Sequence, residues 1–328
     1  MVMVVSQGLL VALVGAVILD LLLGDPSNKY HPVAWLGRLI GFFVPKLKDN
    51  NNCTKKERVR GIIFSNSLII VFGIIIHVGA ISAVHVLGSV GLFMFSALIL
   101  KITIAIRGME KHANAIMSSL EKNDLLKAQH NLSAIVRRDT NNLDEQHVLS
   151  GTIECIGESI VDGITSPLFY YSFFGPAGSF AYRIINTLDS MIGYKDDYYK
   201  DIGWMSAILD SFTNYMPARI TAFLMVIVAK FIGADSKKSL QTLKRDHNKT
   251  ASINAGYTMA TMAGALRIKL EKIGYYSIGE EYEPSSIEKC KTAISIMKLT
   301  TILFCMILSA PLITILYLAG WWRILYGL

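Results

Sequence analysis

The chain has 328 residues, of which 52% are hydrophobic and 17% are charged, and its formal net charge is +7. Soluble globular proteins carry about 25% charged residues, so the long uncharged runs predict that lipid surrounds part of this protein. The basic residues lie in polar stretches beside those runs, which fits membrane topology and argues against nucleic-acid binding. The four cysteines form no CxxC pair, so structural zinc and a disulfide framework are not expected.

The apolar runs predict an all-α, polytopic membrane protein with five or six spans, some of them broken or re-entrant, and with helices on the cytoplasmic side. The chain 1–328 is expected to form a single membrane domain. As one helix, the uncharged run 62–100 would measure about 58 Å, roughly twice the hydrocarbon core, so we expect a break near Gly88. The predicted membrane segments are 8–24, 62–82, 84–106, 163–182, 217–234 and 299–320.

The positions of the charged residues predict which loops are cytoplasmic. Segment 34–61 is rich in Lys and Arg, so the positive-inside rule places it in the cytoplasm. The polar stretch that follows the third apolar run returns to the same side, with helices expected at 108–121, 125–136 and 144–161. Segment 163–182 contains Gly175 and Pro176 and is a poor straight helix, so it either crosses the membrane or re-enters it.

The first polar motif follows the first apolar run. Asp20 lies near the end of that run, where an acid is costly in lipid, so it should face protein or an aqueous cleft. The turn Gly24-Asp25-Pro26 and the step His31-Pro32 come next, and the prolines fix the local backbone. This spacing gathers Asp20, Asp25 and His31 at a membrane boundary. The alternative is a helix that stops at a capping aspartate.

The second motif is an acidic stripe. Arg138 and Asp139 precede Glu154, Glu158 and Asp162, and the three acids are four residues apart, so they share one face of a helix. Like charges stacked in this way repel unless a cation, an amine or arginines neutralise them, and Mg²⁺ is one candidate. The alternative is a solvated acidic face.

Further acid and amide side chains occur between 186 and 254. Asn and Asp three or four residues apart present an acceptor and an amide on one helix face, and an arginine can hold phosphate or carboxylate. Small residues around 252–266 allow close helix packing or a backbone anion site. No P-loop, GxGxxG, HExxH or serine nucleophile elbow is present. The candidate residues here are Asn186, Asp189, Tyr194, Asp210, Asn214, Arg219 and Asn254.

Together these motifs resemble the CobD/CbiB family of cobalamin-biosynthesis membrane proteins, the adenosylcobinamide-phosphate synthases. The likeness runs from about residue 10 to about residue 280, and the order and spacing of the motifs make it specific. The residues that carry it are Asp20 with Gly24-Asp25-Pro26, His31-Pro32-Val33, Arg138-Asp139, Glu154, Glu158, Asp162-Gly163, Pro167-Leu168, Asn186-Thr187-Leu188-Asp189-Ser190-Met191, Gly193-Tyr194, Pro217-Ala218-Arg219 and Asn254-Ala255-Gly256.

The resemblance implies a carbon–nitrogen ligase that joins (R)-1-aminopropan-2-ol, or its O-phosphate, to a propionate of adenosylcobyric acid. It implies ATP and Mg²⁺ as cofactors, the corrinoid as substrate, membrane lipid and other membrane enzymes of the corrinoid pathway as partners, and an active site on the cytoplasmic side of the cell membrane.

The resemblance also suggests roles for the site residues. Asp189 or Asp25 would act as general base, and Glu154, Glu158 and Asp162 would hold Mg²⁺ or receive the amine. The arginines would bind phosphate, and the asparagines would orient amides of the corrinoid rim. The substrate-binding residues would be Asp20, His31, Arg138, Asp139, Asn186, Tyr194, Asp210, Asn214, Arg219 and Asn254.

The chain departs from the family pattern at two positions. Ser211 stands where the family tends to have a second Asp after Asp210, which weakens any role that needs two acids there. Ile253 stands where the family tends to have Pro. Two other classes stay open: a transporter, and a sensor or regulator similar to the AmpE proteins. The broken segment and Asp20 would suit a transporter, although no inverted repeat is visible.

Overall fold

The computed structural model describes residues 2–27, 29–49 and 53–327. The described residues group into two compact units, each assembled from separate parts of the chain. Unit 1 comprises Met1–Ile104, Ser166–Thr213 and Cys305–Leu328, and unit 2 comprises Ala105–Thr165 and Asn214–Phe304. The single domain expected from the sequence stays a prediction.

The elements of both units are nearly all helical. Those of unit 1 are α1 (Val2–Leu23), α2 (Pro32–Leu47), α3 (Thr54–Thr103), α7 (Ser166–Ile192), α8 (Trp204–Thr213), a π-helical turn (Cys305–Ser309), α13 (Ala310–Leu318) and α14 (Trp321–Tyr326). Those of unit 2 are α4 (Ile106–Glu121), α5 (Leu125–Ser133), α6 (Glu145–Ile160), a π-helical turn (Val161–Thr165), α9 (Tyr215–Phe231), α10 (Ser236–Asp246), α11 (Ile253–Leu266), β1 (Lys269–Lys272), β2 (Tyr276–Gly279) and α12 (Ile287–Phe304).

Helix α3 is broken at Gly88, as the sequence predicts. Gly88 has φ 60° and ψ −140°, a conformation that glycine tolerates and other residues rarely adopt. After it the chain runs back along itself, because a Cβ on Gly91 would lie 2.0 Å from the carbonyl oxygen of Ala83 and one on Gly79 would lie 2.8 Å from the ring of Phe95. The uncharged run therefore forms two antiparallel halves, and the predicted break is confirmed.

Helix α7 has the same construction. Gly175 has φ 62° and ψ −150°, and a Cβ on Gly178 would lie 2.4 Å from the carbonyl oxygen of Tyr170. The rings of Tyr170 and Tyr182 stack with centroids 5.5 Å apart, so the halves on either side of Gly175 lie side by side. The half before the break is about 14 Å long, much less than the roughly 30 Å of a hydrocarbon core. Helix α7 therefore forms a helical hairpin, and whether segment 163–182 crosses or re-enters the membrane stays a prediction.

The core of unit 1 joins α2, α3 and α7. Apolar residues at every fourth position form one ridge on α2 and another on α7, and such ridges pack into facing grooves. Ile99 of α3 and Ile202 of the loop after α7 complete this buried group. The ridge residues are Leu36, Ile40 and Val44 on α2, and Phe180, Ile184, Leu188 and Ile192 on α7.

In unit 2, the helix starts are fixed by side chains. Asp124, Asp144, Asp235 and Ser252 each cap a helix by accepting a hydrogen bond from the backbone N–H three residues later. The helices expected at 108–121, 125–136 and 144–161 correspond to α4, α5 and α6 within a few residues. The polar stretch between the third and fourth apolar runs is therefore helical, as predicted.

Small residues let α10 and α11 approach closely. A Cβ on Gly264 would lie 2.4 Å from the carbonyl oxygen of Lys238, and one on Gly256 would lie 2.0 Å from that of His247. The buried face of α11 is rich in Ala, Gly, Thr and Met. The close-packing interpretation of the small residues around 252–266 is therefore confirmed.

A β-hairpin in unit 2 corrects the all-α prediction. Strands β1 and β2 pair antiparallel through a three-residue loop in which Gly274 has φ 77°. Leu270 and Ile278 lie opposite each other and are both fully buried, while their neighbours are polar. Alternating apolar and polar residues on both sides of a glycine favour a hairpin over a helix. The chain is nearly all-α, with this one sheet among the described residues.

Two helical stretches, Thr54–Glu121 and Ile287–Leu318, are long and apolar enough to cross a membrane. A third crossing is added if α8 and α9 form one broken span, and Gly8–Leu23 is a shorter apolar helix. Two or three candidate spans are therefore shown, and the five or six spans and their orientation stay a prediction.

We expect Gly61→Ala to destabilise the protein by about 1–3 kcal/mol, because overpacking forces the backbone apart. A Cβ at Gly61 of α3 would lie 2.1 Å from the carbonyl oxygen of Ile202. The matched control is Gly73→Ala in the same helix, where nothing lies within 4 Å of the new Cβ. Thermal unfolding of the purified protein in detergent measures both, and equal midpoints would contradict the packing of Gly61 against Ile202.

Candidate functional site

A buried lysine organises the first motif in unit 1. Lys101 lies in the last turn of α3 and is 7% exposed. Its Nζ donates to the carbonyl oxygen of Gly24 at 2.5 Å and to Oδ1 of Asp25 at 3.4 Å, and it lies 4.0 Å from Oδ1 of Asp20. We call Asp20, Asp25, His31 and Lys101 the Lys101 cluster. With a neutral histidine, its formal charge is −1.

Asp20 is the most deeply buried member of this cluster. Its side chain is fully buried near the end of α1. A carboxylate removed from water is stable only when it is paired or hydrogen-bonded, and the ammonium group of Lys101 supplies the positive charge. The expectation that Asp20 faces protein or an aqueous cleft is met, because the side chain points into the fold.

His31 connects the cluster to the start of α2. Its Nδ1 accepts a hydrogen bond from the backbone N–H of Val33 at 3.1 Å and so caps the helix. An acceptor nitrogen carries no proton, so in the neutral ring the proton lies on Nε2, which faces Oδ1 of Asp25 at 3.5 Å. The structure thus brings Asp20, Asp25 and His31 together, as the spacing predicts.

Asp25 is the accessible acid of the cluster, with a side chain that is 27% exposed. Burial on its own raises the pKa of this carboxyl, but the hydrogen bond from His31 and the positive charge of Lys101 outweigh it and hold the pKa below its usual value. A carboxylate with a lowered pKa is a weaker base. The geometry therefore favours Asp25 as a fixed negative charge, and its role as general base stays a prediction.

The buried acid of unit 2 is Glu154 on α6, which is 7% exposed. Its Oε2 accepts from the hydroxyl of Tyr276 at 2.9 Å and lies 3.4 Å from Nη1 of Arg138, and its Oε1 accepts from the hydroxyl of Ser150 at 3.3 Å. Burial raises the pKa of Glu154 despite these partners. We call Arg138, Ser150, Glu154 and Tyr276 the Glu154 cluster.

Arg138 lies against Gly151 in this cluster. A Cβ on Gly151 would lie 2.4 Å from its Nη2, so a larger residue there would displace the guanidinium group. Ser150 also accepts from the backbone N–H of Glu271 at 3.1 Å, which ties β1 to α6. The Glu154 cluster therefore joins α6, the hairpin and the segment before α6 within unit 2.

The three acids of the stripe have different surroundings. Glu154 is enclosed, Glu158 is exposed, and Asp162 lies in the π-helical turn, where its Oδ1 accepts from Nδ2 of Asn214 at 3.1 Å. Among the described residues, no group of three or more His, Cys, Asp or Glu side chains is placed to hold a metal ion. Magnesium bound by these three acids stays a prediction that this geometry does not support.

Arg219 of α9 forms the other polar group of unit 2. Its guanidinium carbon lies 3.4 Å from the ring centroid of Tyr215 and 4.4 Å from that of Tyr257. Its Nη1 donates to the carbonyl oxygen of Tyr215 at 2.6 Å and to Oδ1 of Asn254 at 3.4 Å. We call Tyr215, Arg219, Asn254 and Tyr257 the Arg219 cluster.

Helix α7 carries two more predicted residues of unit 1. Asn186 is 9% exposed and accepts from Nη1 of Arg183 at 3.4 Å through Oδ1. Asp189 is half-buried one turn later, and a Cβ on Gly193 would lie 1.9 Å from its Oδ1, so a larger residue there would displace this carboxylate. Asn186 and Asp189 therefore lie on one face of α7, as their spacing predicts.

Three other predicted site residues lie outside the named clusters. Tyr194 donates to the carbonyl oxygen of Ser190 at 2.5 Å, and Asp210 is half-buried on α8. Asp139 is exposed, and its Oδ1 accepts from the backbone N–H of Asn141 at 3.0 Å, which is the pattern of a turn. Roles of these three residues in substrate binding stay predictions.

Sequence reasoning missed several residues of these clusters. Lys101 directly follows a long uncharged run, and an ionisable residue at the end of an apolar segment was a usable signal. Tyr276 lies in the unpredicted hairpin, so its contact with Glu154 had no signal in the helical interpretation. Tyr257 is three residues after Asn254 and shares its helix face, but nothing local indicated that it would cover Arg219.

We expect Lys101→Met to lower the free energy of unfolding by about 3–5 kcal/mol, because it removes the cation that balances two carboxylates. The control is Lys55→Met, at an exposed position of the same helix. The double variant Lys101→Met with Asp20→Asn should recover part of the loss, since one negative charge is removed as well. Thermal unfolding in detergent measures all three, and a Lys101→Met protein as stable as the control would refute the role of Lys101.

We expect Tyr276→Phe to lower the free energy of unfolding by about 1–2 kcal/mol, because Glu154 loses a hydroxyl donor in a buried site. The neighbouring variant Tyr275→Phe is the control, since Tyr275 is 79% exposed. Denaturant unfolding of the purified proteins measures both. Equal losses in the two variants would show that the hydrogen bond to Glu154 contributes nothing.

Comparison with known proteins places these clusters in a family. A family model described as CobD/Cbib protein matches residues 13–306. A relative from Methanothermobacter thermautotrophicus, named as a probable cobalamin biosynthesis protein CobD, is 37% identical over 300 residues, which cover 92% of this chain and 97% of that protein. A protein of the same name from Methanocaldococcus jannaschii is 35% identical over 94% of this chain and 96% of its own length.

A bacterial relative has a similar level of identity and also carries the name CobD. The cobalamin biosynthesis protein CobD of Leptospira interrogans serovar Lai is 39% identical over 272 residues, which cover 82% of this chain and 84% of that protein. No solved structure matches the chain. Since the family match includes the Lys101, Glu154 and Arg219 clusters and extends over most of the chain, this protein belongs to the CobD/CbiB family.

Proposed function

We propose that this protein is an enzyme of cobalamin biosynthesis that forms an amide bond between aminopropanol, or its O-phosphate, and a propionate of adenosylcobyric acid. The supporting observation is that residues carrying the family resemblance converge at the end of an apolar helix, where Lys101 lies near Asp20 and Asp25 and His31 faces Asp25. Ionisable side chains at the membrane are costly, so their presence beside an apolar segment supports a functional role.

The reaction needs an activated carboxylate, because a carboxylate and an ammonium ion do not form an amide usefully in water. In the proposed route a propionate oxygen attacks the γ-phosphorus of ATP, ADP leaves, and an acyl phosphate forms. The deprotonated amine then attacks the acyl carbon, the carbon–oxygen bond breaks, and phosphate leaves. Excluding water protects the acyl phosphate from hydrolysis.

The clusters offer groups for these steps. The negative charge of the Lys101 cluster and the exposed edge of Asp25 suit the ammonium form of the amine. Before it attacks, the amine must lose a proton to a base within hydrogen-bond reach. Asp189, half-buried on α7, is the proposed acceptor of that proton.

We propose a cell-membrane location with the active site on the cytoplasmic side. Helix α7 turns back at Gly175, so its two ends open on the same side. The segment 34–61 is rich in Lys and Arg, which favours the cytoplasmic side for the loops of unit 1. ATP and corrinoid acids are cytoplasmic metabolites, so this side gives the enzyme its substrates.

The experiment incubates the purified full chain in detergent with ATP, magnesium, adenosylcobyric acid and aminopropanol or its phosphate, and measures the product by mass. We expect Asp189→Asn to lower the rate at least about 100-fold, because positioned acid–base groups contribute roughly 10²–10⁴. The control is Asp197→Asn, an exposed acid of unit 1 whose loss should leave the rate unchanged.

Other outcomes separate the competing classes. No amide product from the wild-type protein with either amine, with the fold verified by circular dichroism, would reject the ligase. Substrate uptake into liposomes without turnover would support the transporter instead. Product formed at the wild-type rate by both Asp189→Asn and Glu158→Gln would keep the ligase but remove these two residues from its mechanism.

A further inference from the structure

We infer that the Arg219 cluster is a binding subsite for a phosphate group. The inference rests on the proposed function only for the source of that group, which is either the polyphosphate of ATP or the phosphate of aminopropanol O-phosphate. The binding chemistry itself follows from how Arg219 is held within unit 2.

The guanidinium group of Arg219 lies against two aromatic rings. Tyr215 and Tyr257 lie over it with ring centroids 3.4 Å and 4.4 Å from the guanidinium carbon. Tyr257 is itself held against His247, whose ring centroid is 4.7 Å away. Stacking between aromatic rings restricts the rotation of an arginine side chain, so less conformational freedom is lost when a ligand binds.

The hydrogen bonds of Arg219 leave one edge available. Nη1 donates both of its protons, one to the carbonyl oxygen of Tyr215 and one to Oδ1 of Asn254. Within the described part of the chain, no protein acceptor takes a hydrogen bond from Nε or Nη2. These two nitrogens form the fork that binds an oxyanion through two parallel hydrogen bonds.

The charge of Arg219 is also not neutralised by a carboxylate among the described residues. In the same unit, Arg138 pairs with Glu154, Arg245 with Asp246, and Arg267 with Glu283. The acceptors of Arg219 are a backbone carbonyl and an amide, which carry no net charge. A half-buried arginine with only neutral partners retains its full attraction for an anion.

The surroundings favour an anion further. Asn254 is 6% exposed and lies in the first turn of α11, whose backbone dipole places partial positive charge at that end. A cation next to a helix start is electrostatically unfavourable on its own, and an anion bound between the two offsets this. Phosphate, with its higher charge and several acceptor oxygens, satisfies the fork better than a monovalent carboxylate.

The test measures binding by the purified full chain in detergent, using isothermal titration. The probes are inorganic phosphate, propionate, aminopropanol O-phosphate, unphosphorylated aminopropanol and a non-hydrolysable ATP analogue. We expect Arg219→Gln to lower the affinity for phosphate-bearing probes at least about tenfold, because it removes charge-assisted hydrogen bonds. The affinity of Arg219→Lys should lie between those of the wild type and Arg219→Gln, since lysine keeps the charge but lacks the two-nitrogen fork. The control Lys244→Gln removes an exposed cation of the same unit.

The two phosphate sources give different outcomes. A loss confined to aminopropanol O-phosphate assigns the subsite to the amine substrate, and a loss confined to the ATP analogue assigns it to the nucleotide. Binding of every phosphate-bearing probe within twofold of wild type in folded Arg219→Gln would overturn the inference, as would an Arg219-dependent affinity for propionate without one for phosphate. Where Arg219→Gln does not fold, Arg219→Lys decides by the same criterion.

This test can fail independently of the proposed function. If wild-type protein forms the amide but Arg219→Gln binds every phosphate-bearing probe as wild type does, the phosphate subsite is wrong and the ligase stands. If wild-type protein binds the phosphate probe through Arg219 but never forms the amide, the subsite stands and the ligase is wrong.

Discussion

The fold depends on one constraint, which is that a backbone in an apolar environment must make its hydrogen bonds within the helix. The chain can therefore reverse inside an apolar segment only where few bonds are lost and the backbone can take positive φ. Gly88 and Gly175 provide both reversals in unit 1. In each hairpin a second glycine in the returning half, Gly91 or Gly178, leaves room for a carbonyl of the half before the break.

These reversals carry polar side chains to the ends of apolar helices. Lys101 lies at the end of the returning half of α3, where it meets Asp25 and the carbonyl of Gly24 in the turn after α1. Asn186 and Asp189 similarly lie near the end of the returning half of α7. The length of each half thus determines where its polar residues stand, and an insertion between the glycine and the polar residue would displace the cluster.

Periodicity and glycine positions were enough to predict much of the helical fold. The break at Gly88, the irregular 163–182 segment and α4 to α6 followed from local sequence. The β-hairpin did not, because its strands are four residues each and two buried side chains, Leu270 and Ile278, carry the pattern. The site was predicted as a set of residues, but their partners Lys101, Tyr257 and Tyr276 depend on tertiary contacts that no local spacing encodes.

The surroundings of the carboxylates narrow the choice of proton acceptor in the proposed reaction. Asp25 is accessible, but its partners hold its pKa low, so it retains a proton poorly. Burial raises the pKa of Glu154, but Arg138, Ser150 and Tyr276 enclose its oxygens, so a substrate cannot reach them without breaking the cluster. A general base must be both accessible and suitably basic. Of the two predicted bases, Asp25 is therefore disfavoured, and Asp189, half-buried on α7, stays the candidate.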